Sequence, residues 1–187
     1  MTQRINRKNI LPVIVLSQFA GTSLWFVGNA VLPELKESLH LSQYALSHVT
    51  SAVMLGFITG TLVFAFFSLA DRFSPVKLFF LSSLLGALTN STIAWLATDA
   101  LSLFSLRFLT GFFIAGIYPV GMKIAADWNE KGLGKALGFL LGALVLGTAF
   151  PHLLRNRDFN LPWESVLYFT SLFAFTGGLL MLLLVGD

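Results

Sequence analysis

Apolar residues fall into six long stretches along this chain, at residues 10–32, 46–70, 78–97, 101–124, 133–154 and 163–185, and most of the charge lies in the short polar connections between them. An α-helix needs roughly 20 mostly apolar residues to cross the hydrocarbon core, and each stretch meets that length. The runs are far longer than the about 10 alternating residues of a membrane barrel strand. The pattern predicts an all-α membrane protein of six transmembrane helices. Residues 1–9 form an N-terminal cytoplasmic tail, 10–185 the six-helix transmembrane domain, and 186–187 the start of a cytoplasmic linker. The first stretch follows a basic start and Gly28-Asn29-Ala30 loosely matches a cleavage site. It is nevertheless longer than the apolar core of about 7–15 residues in a secretory signal, so it is kept as a helix.

Composition agrees with the pattern. Of 187 residues 56% are hydrophobic and 11% charged, and the mean hydropathy is +0.79, whereas soluble domains carry about 25% charged residues. Such hydrophobicity excludes disorder. With no Cys there is no disulfide framework, no thiolate catalysis and no Cys-ligated metal. His40, His48 and His152 are not paired at metal-ligand spacing, so neither metal nor cofactor is expected. The net charge of +3 comes from cations scattered in short clusters, without the continuous basic stripe that a phosphate backbone requires, and no nucleic-acid partner is expected.

The charge distribution gives an orientation. With the N-terminus inside, Arg4, Arg7, Lys8, Arg72, Lys77, Lys123, Lys131 and Lys135 lie on the cytoplasmic side, against Lys36, Arg155 and Arg157 outside. The bias of cytoplasmic connections toward Lys and Arg then places both termini in the cytoplasm of a cell (inner) membrane. Trp95 and Trp163 fall at the outer interface and Trp128 at the inner one, as an aromatic belt requires. Trp25 lies well inside the first helix, which makes it a cavity candidate.

Polar side chains within hydrocarbon normally face a bundle interior or a water-filled cavity. In the first helix Gln18, Thr22, Trp25 and Asn29 share one face, an arc of about 60° at about 100° per residue. The same offsets in the fourth helix select Arg107, Gly111, Ile114 and Tyr118. The two stripes face a shared interior, where Gln18, Thr22 and Asn29 either bond neighbouring helices or line a path. Arg107, the one formally charged residue placed well inside a span, either snorkels to the headgroups or faces the cavity. No Asp or Glu lies deep in a span, so a proton relay through a membrane carboxylate has no candidate, and a polar or anionic solute is favoured over a cationic one.

Small residues at four-residue spacing mark close helix packing: Gly56 and Gly60 in the second helix, Gly134, Gly138 and Gly142 in the fifth, with Gly147 further on. Pro33, Pro119 and Pro151 can each end or bend a helix. Asn90-Ser91-Thr92 matches a glycosylation acceptor but lies within the third helix. An intramembrane hydrolase lacks its residues: G-x-S-x-G is absent, and no Ser in a span has an evident His base. No enzyme activity is expected.

Three segments resemble a known family. Phe67-Ser68-Leu69-Ala70-Asp71-Arg72-Phe73-Ser74-Pro75-Val76-Lys77 is similar to the loop motif G-x-L-A-D-R-x-G-R-K/R of the major facilitator superfamily. Leu69, Ala70, Asp71, Arg72 and a shifted Lys77 match; Phe67 and Ser74 replace the two Gly, and Pro75 replaces an Arg. Arg107-Phe108-Leu109-Thr110-Gly111, followed by Ala115-Gly116-Ile117-Tyr118-Pro119, resembles that family's fourth helix, R-F-x-x-G then A-G-x-x-P. Glu130-Lys131-Gly132, Gly134-Lys135-Ala136 and Gly138 resemble its E-R-G-x-x-x-A-x-G at the start of helix five.

The resemblance implies a secondary transporter working by alternating access, with helices one and four lining the central path. It implies that Asp71, with Arg72 and Lys77, belongs to a cytoplasmic gate in which the Asp caps a helix end of the opposite half. The antiporter signature G-x-x-x-G-P-x-x-G-G is met only at Gly138, Gly142 and Gly147, so antiport is not supported. Complete members have twelve spans in two six-helix halves, each half a 3+3 inverted repeat. This chain corresponds to the N-terminal half. The expected partners are a small-molecule solute, the lipid bilayer and a second six-helix half on the same or a separate chain. The other reading is a non-transporting six-helix subunit, a regulator or a truncated fragment.

Overall fold

Local sequence sets the start of several helices. Asp99 accepts from the Ser102 amide at 2.8 Å, while the Ser102 hydroxyl accepts from the Asp99 amide at 3.0 Å. This reciprocal cap satisfies two of the amides that a helix start leaves open. Ser74 accepts from the Lys77 amide at 3.1 Å, and Pro75 follows in the first turn, where its fixed φ suits a helix and its missing N–H costs nothing. Ser68 takes a left-handed φ of 50° and ends the preceding helix at Phe66 rather than at residue 70.

A computed structural model describes residues 10–155 and 161–186. The expected tail at 1–9 and the residues Arg157, Asp158 and Asp187 lie outside them. Helix α1 runs Ile10–Thr22 and continues as the short pieces Val27–Ala30 and Leu32–Ser38. Then come α2 (Ala45–Phe66), α3 (Pro75–Ser91, with a last turn Ile93–Leu96), α4 in two pieces (Ala100–Ile114 and Tyr118–Trp128), α5 (Leu133–Leu154) and α6 (Trp163–Leu184). A one-turn helix, Leu69–Arg72, lies between α2 and α3. Among the described residues there is no strand. The segments Ser47–Phe66, Pro75–Leu96, Ala100–Trp128, Glu130–Leu154 and Trp163–Leu184 are long and apolar enough to cross a membrane. The Ile10–Thr22 piece has 13 residues, about 20 Å at about 1.5 Å per residue, short of a core about 30 Å thick without the pieces that follow.

The packing has the symmetry of an inverted repeat. α2 packs on α4 as α5 packs on α1; α3 packs on α4 as α6 packs on α1; and α3 pairs with α6. Ile14, Leu24, Phe79, Ile114, Ile117, Leu140 and Met181 bury one apolar cluster. Val31, Leu35, Val49, Ile93, Leu103 and Leu167 bury a second. The α2–α3 connection is tied to the second piece of α4 at one end, here the basic end, by Asp71 and Lys123. At the opposite end Arg155 pairs with Glu34 and donates to the Leu161 carbonyl at 3.4 Å. Arg155, a cation expected among the outer connections, thus has an acid partner that its neighbours in sequence do not reveal.

Two helices expected to be continuous are broken. In α4 Pro119 lacks the N–H that would reach the Ala115 carbonyl, and the helix restarts with this proline in its first turn. The break in α1 has no proline. By contrast α5 continues through Pro151 to Leu154.

Candidate functional site: the interior between α1 and α4

The break in α1 begins with side chains that bond their own backbone. The Thr22 hydroxyl donates to the Gln18 carbonyl at 2.8 Å and to that of Phe19 at 3.2 Å; the Ser23 hydroxyl donates to the Ala20 carbonyl at 2.6 Å. Such bonds loosen the helical ladder. The next amides reach only three residues back: Ser23 to Ala20, Leu24 to Gly21 and Trp25 to Thr22.

The carbonyls of Leu24 and Trp25 are taken by Arg107 of α4. Its Nη1 donates to Leu24 O at 3.2 Å and its Nη2 to Trp25 O at 2.5 Å. Arg107 is fully buried, and no carboxylate pairs with it among the described residues. Two backbone dipoles, in place of a counter-ion, oppose the cost of holding a guanidinium in low dielectric. The arginine therefore faces the bundle interior and does not snorkel to the headgroups. Gly28 makes room for it, since a Cβ there would stand 2.8 Å from Arg107 Nε.

The remaining stripe residues are divided by the break. Trp25 is buried beside Arg107, its ring 4.6 Å from that of Phe57 of α2. Gln18 is buried against Gly121 of the second α4 piece. Thr22 is buried against Gly147 of α5. Asn29 donates to Thr50 of α2 at 2.8 Å. Tyr118 is half-buried at the start of the second α4 piece. The α1 and α4 stripes thus meet through Arg107 and Gln18, whereas Thr22 and Asn29 turn to other helices.

Several polar atoms of this interior are buried without a hydrogen-bond partner among the described residues: both ends of the Gln18 amide, Trp25 Nε1 and Arg107 Nε. Chemically the cluster offers a fixed cation and neutral hydrogen-bonding groups. It includes no carboxylate or imidazole that would pass a proton.

At the basic end Lys123 Nζ lies 3.0 Å from Asp71 and 4.0 Å from Asp127. A cavity of about 340 Å³ adjoins the first pair, walled by Thr61, Phe64, Ala65 and Pro119 among others. Asp71 thus has a partner within this chain, on α4. The sequence carried only half of this signal, the four-residue spacing of Lys123 and Asp127. Arg72 and Lys77 are exposed and form no ion pair among the described residues.

The glycines divide into two groups. A Cβ on Gly56 or Gly60 would run into the backbone of Phe108 or Phe112 of α4, and one on Gly111 into that of Val53 of α2. Gly147 meets Phe19 and Thr22 of α1. Gly134, Gly138 and Gly142 have no heavy atom of a neighbouring helix within 4 Å of such a Cβ.

The chain resembles the inner membrane metabolite transport protein YgcS of Escherichia coli (strain K12), with 30% identity over 123 residues. That match covers 66% of this chain and 26% of the relative, so the chain spans about a quarter of that protein. The family model described as Major Facilitator Superfamily matches residues 13–187. With a match over nearly its whole length, on an all-helical membrane fold of inverted-repeat packing, the chain belongs to the Major Facilitator Superfamily.

Proposed function

We propose that this chain forms the N-terminal six-helix half of a carrier that moves a small polar or anionic solute by alternating access. The observation that carries the reading is Arg107: a fully buried guanidinium without a carboxylate partner among the described residues, pinned to the broken stretch of α1 beside Trp25. A cation held by carbonyl dipoles alone retains attraction for an anionic group. Gln18, Thr22, Trp25, Asn29 and Tyr118 are the further path candidates. In this reading the solute reaches Arg107 when the two halves rock and the α1 break adjusts, because the arginine is enclosed in the present arrangement.

The gate reading of Asp71, Arg72 and Lys77 is supported by their place on the α2–α3 connection. The Asp71–Lys123 pair would hold that acid ready for a helix end of the second half. The second half is supplied by a longer chain, a separate chain or a second copy. Both termini face the cytoplasm of a cell (inner) membrane, in keeping with the excess of Lys and Arg at the basic end. The rival subunit or regulator reading predicts no flux in any pairing.

Uptake into vesicles tests the proposal, with the chain alone and with a second half present, using short carboxylates and neutral sugars in parallel. Flux is expected only in the paired sample, and Arg107→Ala is expected to abolish carboxylate flux while Arg107→Lys retains part of it. Carboxylate flux untouched by Arg107→Ala, in a variant that still assembles with its partner, removes Arg107 from the path.

A further inference from the structure

The α2–α3 connection, whose Arg72 and Lys77 are also the gate candidates, carries a surface that the packing of the chain does not use. Arg72 closes the one-turn helix Leu69–Arg72, and Lys77 lies in the first turn of α3. Both are exposed. Asp71, the acid beside them in sequence, is taken by Lys123, so neither cation has an ion-pair partner among the described residues. In the same stretch of chain Phe66, Phe67 and Phe73 are exposed by 83%, 49% and 62%, the first two with rings edge to face at 5.2 Å. Three bare phenyl rings beside two free cations suit neither water nor hydrocarbon. They suit the boundary between the two.

The exposed face of α3 fixes the depth of that boundary. Lys77, Leu81, Leu84, Leu88 and Trp95 follow one another at helical spacing, Leu84 half-buried and the others exposed. The 18 steps from Lys77 to Trp95 measure about 27 Å at about 1.5 Å per residue, close to the hydrocarbon thickness of about 30 Å. A cation at one end, leucines between and a tryptophan at the other end describe a face that lipid covers, with Lys77 at headgroup level.

We propose that Arg72 and Lys77 bind the headgroup of an anionic phospholipid, whose acyl chains lie against the aromatic rings of the α2–α3 connection and the leucine face of α3. Charge complementarity selects the headgroup, and the apolar rings select a lipid over a soluble anion. Membrane insertion is all this requires of the protein, so the site stands or falls independently of transport.

Native mass spectrometry of the full delipidated chain tests the site, with phosphatidylglycerol, phosphatidylcholine and glycerol phosphate as probes. Phosphatidylglycerol is expected to be retained in excess over phosphatidylcholine. Arg72→Gln and Lys77→Gln should each reduce that excess about fivefold, the effect of about one cation at an anionic surface. Arg72→Lys with Lys77→Arg should restore it, which separates charge from folding, and Lys131→Gln with Lys135→Gln should leave it in place. The proposal is overturned by equal retention of the two lipids, by an excess that survives loss of both cations or falls equally with Lys131 and Lys135, or by displacement with equimolar glycerol phosphate.

Discussion

The contact of α2 with α4 and the outer face of α5 are written in the same sequence pattern and have opposite surroundings. Gly56 and Gly60 let α2 approach α4 until backbone meets backbone, and Gly111 answers from the other side. Gly134, Gly138 and Gly142 repeat the spacing on α5 and meet nothing within 4 Å. The glycine gap permits close approach of backbones, which is how helices associate where lipid is as apolar as the side chains. It does not supply the partner. Five residues further on, Gly147 belongs to the packed kind, because α5 leans on α1 at that level.

The comparison breaks most sharply at Gly111. Gly111→Val inserts a branched side chain where the Val53 backbone stands, and backbone has no rotamer by which to yield. The expected loss is at or above the upper end of the roughly 1–3 kcal/mol typical of overpacking, read as a fall in melting temperature in detergent. Gly138→Ala and Gly142→Ala should act in the other direction for the chain alone. Each gains up to about 1 kcal/mol of helix propensity with nothing to collide with. Addition of a docked partner should reverse that sign, so melting each variant with and without a second half sharpens the contrast.

The smallest effect expected is at the start of α4, the helix that receives the α2 glycines. Hydrogen bonds from the Ser102 amide, then from its side chain, hold the Asp99 carboxyl below its ordinary pKa of 3.8. A group whose folded pKa is depressed stabilises the fold above its unfolded pKa, and that contribution disappears as pH falls through the folded value. Melting should therefore weaken below about pH 4, and Asp99→Asn should flatten that limb of the profile.

Much of this arrangement was legible in the sequence, and what was missed has a common cause. The bounds of α5 and α6 follow from their apolar runs, because a membrane helix satisfies its own backbone. That α2 packs closely at Gly56 and Gly60 follows from glycine spacing, although its partner α4 does not. The break in α1 does not, since no proline or glycine stands between Thr22 and Val27. It depends on Arg107, more than 80 positions away, taking the carbonyls of Leu24 and Trp25. For the same reason a stripe drawn on a continuous helix at Gln18, Thr22, Trp25 and Asn29 is divided among three neighbours once the helical phase is interrupted. Glu34 with Arg155, and Asp71 with Lys123, are likewise pairs between distant elements. Periodicity reports which face is buried; it does not report against what.

The proposed carrier needs a second six-helix half, and the bare face of α5 is where close backbone approach is left open to it. The chain contains no cysteine, so a single Gly142→Cys can be crosslinked in membranes that also hold a cysteine-bearing second half or a second copy of the chain. Leu88→Cys, on the lipid-covered face of α3, is the control. The account predicts a covalent product at the mass of two units from Gly142→Cys and none from Leu88→Cys. Monomer alone, or equal products from both positions, would contradict it.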